Sequence, residues 1–598
     1  MIVAEAVGRL LAAAGVDTAF GVVGSGNFHL TNALVRHGAR FVAARHEGGA
    51  ATMADAYTRM SGRVAVLSVH QGPGLTNAMT GIAEAAKSRT PLLVLAADVT
   101  EPHSNFHLDQ AALARAVGAV PMRLTRAQDA LEALRVARED RRTVVLSLPL
   151  DLQSSPAPDW PALEPLVTQA HTATLPPGPH TPPQGTGTPP VPDRSSRRPD
   201  MLSPEAEAGV AELGAGSPGV AGADALGGRG AREAGPGVGV LARLLGEARR
   251  PVFVAGRGAR HARLELEDLA DLTGALLATS AVAKGLFRGS PWDLDVSGGF
   301  STPLTAELIG GADLVVAWGC ALNMWTTRHG SLISPGTRVA QVDLEHPVAA
   351  RHVPVDLPVT GEVAQVATAV RELLAPPEGL PAGYRSAELA GRIAAEGRWR
   401  AVPYEDETGG GRIDPRTLTA ALDDILPAER VIAPDSGNFM GYPSMWMDVP
   451  DERGFCFTQA FQSIGLGLAT AVGAALALPD RLPVAALGDG GALMGVSELE
   501  TVARLGLPMV IVVYDDEAYG AEVHHFTGQP HGTVTFPPTD LAAMARALGL
   551  AAVTVTEPAD LRAVSDWLDG PRDRAILVHA KITRERPSWW LEEAFKGH

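Results

Sequence analysis

The first residues that could do chemistry are acidic side chains at glycine-rich turns. Asp489 stands in Leu487-Gly488-Asp489-Gly490-Gly491, followed by a helical pattern to Leu505, an apolar run from Met509 to Tyr514, and then Asp515-Asp516-Glu517-Ala518-Tyr519-Gly520. Strand, tight turn, helix, strand and acidic turn succeed one another. Glycine lets a backbone approach a phosphate, and a helix start turns free N–H groups and the positive dipole end toward the anion. Ligands of open parallel sheets bind at the strand ends, where Asp489 falls. Magnesium takes nearly octahedral oxygen ligands and combines one or two carboxylates with phosphate oxygens and water. Asp489 and a second oxygen at the end of the next strand would supply the protein's share. Alone, Gly-Asp-Gly is an ordinary turn.

The whole order resembles the thiamine-diphosphate-binding signature: Gly-Asp-Gly, a helix and strand, then an Asn-Asn pair. On that resemblance Gly488, Gly490 and Gly491 border the diphosphate, and Asp516, 27 positions after Asp489, takes the metal-binding place. The carbonyl of Ala518 is the third ligand, and Tyr519 borders the same turn. The chain departs from the family in carrying Asp515-Asp516 for the usual Asn-Asn. Aspartate at 516 still offers an oxygen, but its charge raises the dependence on a divalent cation or weakens cofactor binding.

Arg45-His46-Glu47-Gly48-Gly49-Ala50 resembles the family's Arg-His-Glu-x-x-Ala segment. Its glutamate protonates the aminopyrimidine ring and so activates the cofactor. An apolar site suits Glu47 for this, because burial raises a carboxyl pKa toward neutrality. A glutamate favoured by the helix dipole in a first turn is the plain alternative. His70-Gln71-Gly72-Pro73-Gly74-Leu75-Thr76-Asn77 resembles the turn near the pyrimidine, which puts Gly72 and Asn77 at the cofactor. Gln462-Ser463-Ile464-Gly465 resembles the segment whose apolar residue, here Ile464, bends the cofactor; a core isoleucine predicts the same burial. Asp435-Ser436-Gly437-Asn438 resembles the diphosphate-contacting turn, and an ordinary Asx turn would look alike.

Ser25 and His70 align with active-site positions of benzoylformate decarboxylase, and histidine moves protons near neutral pH. That enzyme's second catalytic histidine falls near Ser290 here and is missing. Glu522, six residues past Asp516, occupies the place of a catalytic glutamate of pyruvate decarboxylases. A hydrogen-bonded histidine at a strand end is the plain alternative for His70, and solvated side chains are the alternative for Glu522, as for His524, His525, His103 and His107.

The elements that must position these groups alternate. Short β-branched runs (41–44, 64–69, 92–96, 143–148) and helical patterns such as 48–60 read as βαβ units around a parallel sheet. The same alternation returns at 251–255, 276–279, 313–319 and 338–343, and again at 431–435, 484–488 and 509–514. The expected architecture is α/β: three Rossmann-like parallel-sheet domains, two of them binding thiamine diphosphate and flanking a central one. The boundaries are 1–153 for the pyrimidine domain, 238–375 for the central domain and 413–598 for the diphosphate domain. Residues 154–237, rich in Pro and Gly and poor in large apolar side chains, read as a disordered insertion or linker. A shorter linker spans 376–412. Gly256-Arg257-Gly258 after a strand is weak evidence for a nucleotide. Acetolactate synthases keep FAD in this domain, yet their Gly, Met and Phe run is absent from 284–300, so FAD stays open.

With 598 residues, 46% hydrophobic and 20% charged, the chain is expected to fold into several globular domains. A net charge of −17 argues against a nucleic-acid partner. Two distant cysteines, Cys320 and Cys456, give neither a disulfide framework nor zinc spacing and fit a cytoplasmic protein. No stretch reads as a membrane span. The resemblance implies a homodimer or homotetramer with active sites between subunits. It also implies an acetolactate-synthase-like carboligase, which decarboxylates a 2-oxo acid and adds the remainder to a second carbonyl. A simple 2-oxo acid decarboxylase is the alternative within the enzyme class. A non-catalytic cofactor-binding subunit is the alternative outside it, motivated by Asp515-Asp516.

Overall fold

Apolar runs without alternation become strands covered on both faces, because the crossover helices of parallel sheets pack on each side. The computed structural model, which describes residues 1–157, 236–346, 352–374 and 379–594, contains three such sheets. The expected linker 154–237 lies outside the described residues from 158 to 235.

The first sheet holds β1 (Thr18–Gly21), β2 (Arg40–Ala43), β3 (Ala65–Val69), β4 (Leu92–Asp98), β5 (Val120–Arg123) and β6 (Thr143–Pro149), ordered β2-β1-β3-β4-β6-β5. The second holds β7 (Pro251–Ala255), β8 (Leu276–Thr279), β9 (Asp293–Val296), β10 (Leu314–Trp318), β11 (Arg338–Asp343) and β12 (Leu357–Thr360), ordered β12-β11-β10-β7-β8-β9. The third holds β13 (Arg430–Pro434), β14 (Leu482–Gly488), β15 (Val510–Asp515), β16 (Ala551–Val555) and β17 (Ile576–Lys581), ordered β13-β14-β15-β17-β16. All neighbouring strands run parallel, as the α/β reading required. β1, β5, β9, β12, β16 and β17 are strands beyond those named from the sequence; β9 and β12 are short edge strands, and the Pro358 of β12 is tolerated only at an edge. The expected linker 376–412 carries a helix, Ala387–Glu396, because Leu389 and Ile393, four apart, share a buried face.

Small residues bring the first and third units together. The helices Glu47–Ser61 and Gly467–Ala477 cross so closely that a Cβ on Gly473 would sit 2.3 Å from the carbonyl of Met53. Their residues share one apolar core. A buried ion network lies beside that core. Arg59 donates to Asp55, to Glu84 at 2.8 Å and to the carbonyl of Phe457 at 2.8 Å. Glu84 also accepts from Ala460 N at 3.1 Å and Phe461 N at 2.6 Å, which pins the segment leading to Ile464. No helix among the described residues is long and apolar enough to cross a membrane.

Candidate cofactor site

β14 and β15 are adjacent and parallel, with Gly488 opposite Tyr514, so the turns that follow them meet at one end of the sheet. This register brings Asp489 and Asp516 together despite the 27 intervening positions. They are 8% and 7% exposed, and no ion pair reaches either among the described residues. Burial first, and then the charge of Asp516, pushes the Asp489 carboxyl up to about 8. Burial likewise lifts Asp516 to about 7. Two buried carboxyls without a counter-charge make a donor set that a divalent cation fits.

Glycine is required around them. A Cβ on Gly490 would meet the Tyr519 ring at 2.5 Å, one on Gly491 the Asp435 carboxylate at 2.4 Å, and one on Gly520 the Asp516 carboxylate at 2.2 Å. The helical pattern expected to run to Leu505 is two helices, Asp489–Met494 and Glu498–Leu505, broken at Gly495. Beyond β15, Glu517 adopts φ +58°, a conformation costly for a side-chain-bearing residue and held only where neighbours enforce it. Bonds from Phe536 N to Glu517 O and from Tyr519 N to Val534 O, both 2.8 Å, clamp the chain on either side of Ala518.

The departure at 515 is answered within the fold. Asp515 Oδ2 lies 2.6 Å from His579 Nε2 and accepts from Lys581 Nζ at 2.6 Å. Burial works against the charged form, yet these two groups outweigh it and hold the Asp515 carboxyl below its ordinary value. Only the charge at 516 remains free to act on a cation or diphosphate.

At the end of β13, Asp435 is fully buried, and burial pushes it up to about 6 even though it accepts backbone N–H groups. Two of these are Gly465 N at 2.8 Å and Leu466 N at 3.2 Å, so Asp435 fixes the loop that carries Ile464. Ile464 is half-exposed on the cleft wall. Ser436, Gly437 and Asn438 line the same cleft. Asn438 Oδ1 is already occupied by Ser588 N at 3.0 Å, and its carbonyl by Trp590 Nε1 at 2.8 Å, which ties this turn to the C-terminal segment.

The cleft has a volume of about 840 Å³ and reaches from Asp489, Asp516, Ala518, Tyr519 and Glu522 to the central domain. At its far end Gly256 and Gly258 pack against Gly319 and Cys320, with a Cβ on Gly256 only 2.4 Å from the Gly319 carbonyl. Close approach of the ends of β7 and β10 therefore accounts for Gly-x-Gly without FAD.

Ser25, Glu47 and His70 do not line this cleft. They follow β1, β2 and β3, adjacent strands of the first sheet, and gather at their ends. Gly26 N donates to His70 Nδ1 at 3.1 Å, leaving Nε2 as the nitrogen that carries hydrogen in the neutral ring. Burial lowers the His70 pKa, and the charge of Glu47 opposes that shift. Glu47 accepts from Asn77 Nδ2 at 3.1 Å. Asn77 spends a donor on Glu47, and Gly72, at φ +62°, backs onto Phe106. Glu47 is half-buried rather than enclosed by apolar groups. Val23, Phe28 and Phe106 stand exposed around this surface, as do Met494, Phe526 and Phe536 around the third sheet's turns.

Sequence reasoning missed Asp435 as an anchor, the His579–Lys581 pair, and Glu498, which accepts from Arg45 N and His46 N just ahead of Glu47. Their partners lie tens to hundreds of residues away, so no local signal marks them.

Three family models match in chain order: the thiamine pyrophosphate enzyme N-terminal TPP binding domain over residues 1–116, the central domain over 238–370, and the C-terminal TPP binding domain over 435–579. The chain is 29% identical to the Pseudomonas aeruginosa protein named "Probable 2-ketoarginine decarboxylase AruI", covering 93% of this chain and 89% of that one. It is 23% identical to acetolactate synthase 3, chloroplastic, of Brassica napus, covering 93% and 80%. Among solved structures, the thiamine diphosphate-dependent 4-hydroxybenzoylformate decarboxylase of Rhodococcus jostii RHA1 superposes with a TM-score of 0.73 at 21% identity, covering 98% of this chain and 100% of that one.

Proposed function

We propose that this chain, which belongs to the thiamine pyrophosphate enzyme family, removes carbon dioxide from a 2-oxo acid and joins the remainder to a second carbonyl compound, in the manner of an acetolactate synthase. The observation that carries the reading is the buried, uncompensated pair Asp489 and Asp516 on the wall of a long cleft. These side chains and the Ala518 carbonyl would hold magnesium. Ser436, Gly437 and the backbone at Gly490 and Gly491 would receive the diphosphate, and Ile464 would bear on the rings. When bound, thiamine diphosphate supplies a nucleophilic carbon and an electron sink for the pair released as carbon dioxide departs.

Everything else falls to side chains. Glu47, steadied by Asn77, would hold a proton at the pyrimidine nitrogen. Because Glu47, His70 and Ser25 lie off the cleft, they would serve the cleft of a second copy. The exposed Phe28, Phe106, Met494 and Phe526 supply apolar area for that contact. His70 Nε2 would donate to substrate oxygen, with Ser25 beside it. The cleft's length leaves room for a second carbonyl compound. Glu522, on the cleft wall, favours a second reading, protonation and release of an aldehyde.

Calorimetry tests the cofactor claim. Thiamine diphosphate with magnesium should bind, and Asp489→Ala should weaken binding by at least the roughly 10–100-fold that losing a mere supporting partner of a metal ligand costs. Offering pyruvate and larger 2-oxo acids with and without an acceptor then separates the fates. Acyloin or acetohydroxy acid supports carboligation, and aldehyde alone supports the second reading. Absence of cofactor binding overturns both.

A further inference from the structure

We propose that Phe300, Trp325, Phe457 and Trp590, together with Gln459, form a side-chain pocket that selects 2-oxo acids with a flat apolar body and an uncharged tip able to donate and accept hydrogen bonds. This rests on the 2-oxo acid reading above and narrows its substrate class.

The four rings touch one another edge-on or tilted, with centroids 6.1 Å apart for Phe300–Phe457, 6.3 Å for Phe300–Trp590 and 5.7 Å for Trp325–Trp590. All four line the cleft, and Phe300, Trp325 and Phe457 are only partly buried, so they present ring surface to it. Ala521 packs against this group, which places the rings beside the turn that follows Asp516. A side chain extending from a carbonyl at that end meets aromatic surface, which favours flat apolar groups.

Gln459 sets the tip. It lines the cleft at 9% exposure, and neither Oε1 nor Nε2 has a partner. A buried amide left unpaired is costly, and a ligand that satisfies it recovers that cost. The backbone that carries Gln459 is held on both sides: Arg59 holds the Phe457 carbonyl before it, and Glu84 holds Ala460 N and Phe461 N after it. Phe457 and Gln459, two residues apart, both line the cleft. Whichever way the amide is turned, it offers one donor and one acceptor. A carboxylate tip would leave Oε1 unmatched, and an ammonium or guanidinium tip would leave Nε2 unmatched. A hydroxyl or carboxamide matches both.

The test compares kcat/KM for carbon dioxide release from pyruvate, phenylpyruvate, 4-hydroxyphenylpyruvate and a guanidino 2-oxo acid. The holoenzyme should prefer the hydroxylated aryl acid over the plain one by about tenfold, the effect of one satisfied hydrogen bond. Gln459→Leu should bring that ratio near one, and Trp325→Ala should lower both aryl acids relative to pyruvate. Equal turnover of pyruvate and the aryl acids, preference for the guanidino acid, or an unchanged ratio in Gln459→Leu would overturn the pocket. Binding of 3-(4-hydroxyphenyl)lactate to the holoenzyme gives an independent reading. If that binding is tight and weakens in Gln459→Leu while no 2-oxo acid is turned over, the pocket stands and the decarboxylation reading falls. If binding and turnover are both absent, both fall.

Discussion

At Asp489 and Asp516 the competing terms are desolvation and the missing counter-charge. With the Asp489 carboxyl pushed up to about 8 and Asp516 up to about 7, the cation-free protein favours protons at both. A carboxyl raised in the folded state loses its stabilising contribution as pH climbs from the ordinary carboxylate range through the raised value. The melting temperature of the cofactor-free protein should therefore fall between about pH 4 and about pH 8, and magnesium should reverse that fall, because a metal ligand must shed its proton. A flat pH profile without magnesium would contradict the uncompensated pair. Asp516→Asn should still bind cofactor but flatten much of the slope, as the amide cannot titrate. Asp489 was legible in the sequence through its glycine turn, and Asp516 through the family's spacing. The neutralisation of Asp515 was not, because His579 and Lys581 arrive from β17, more than sixty positions on.

The elements matter through how tightly they let turns approach. Gly491 leaves no room for a methyl group beside the Asp435 carboxylate, and that carboxylate holds the Ile464 loop. Gly491→Ala should then displace Asp435 and the loop together, at about 1–3 kcal/mol, and weaken cofactor affinity by about tenfold or more while the circular dichroism spectrum is retained. An unchanged affinity would mean that Asp435 does not transmit the loop's position. Most strands could be read from uninterrupted apolar runs. The break at Gly495 is harder to read, since the helical pattern resumes beyond it and only the glycine itself marks the end of the first helix. The helix Ala387–Glu396 shows the converse, with composition suggesting a linker while two apolar residues four apart specify a helix.

For the whole molecule, the site depends on joints that a linear reading does not reveal. Arg59 and its two acidic partners are buried together between the first and third units, and removing one member of such a group leaves the others uncompensated. Arg59→Met should destabilise the protein by about 3–5 kcal/mol in denaturant unfolding. A loss below about 1 kcal/mol would assign the network no structural weight. Three parallel-sheet units could be foreseen from alternating patterns, but their mutual packing could not. That packing places the first-sheet residues Ser25, Glu47 and His70 away from the cleft bearing Asp489. The most direct test of a site shared between copies is co-expression of Glu47→Gln with Asp489→Ala, each inactive alone. In a symmetric dimer every mixed pair regains one intact site, so about a quarter of the wild-type activity should return. A mixture as inactive as its parents would show that each chain must carry both residues itself, and the account would fail.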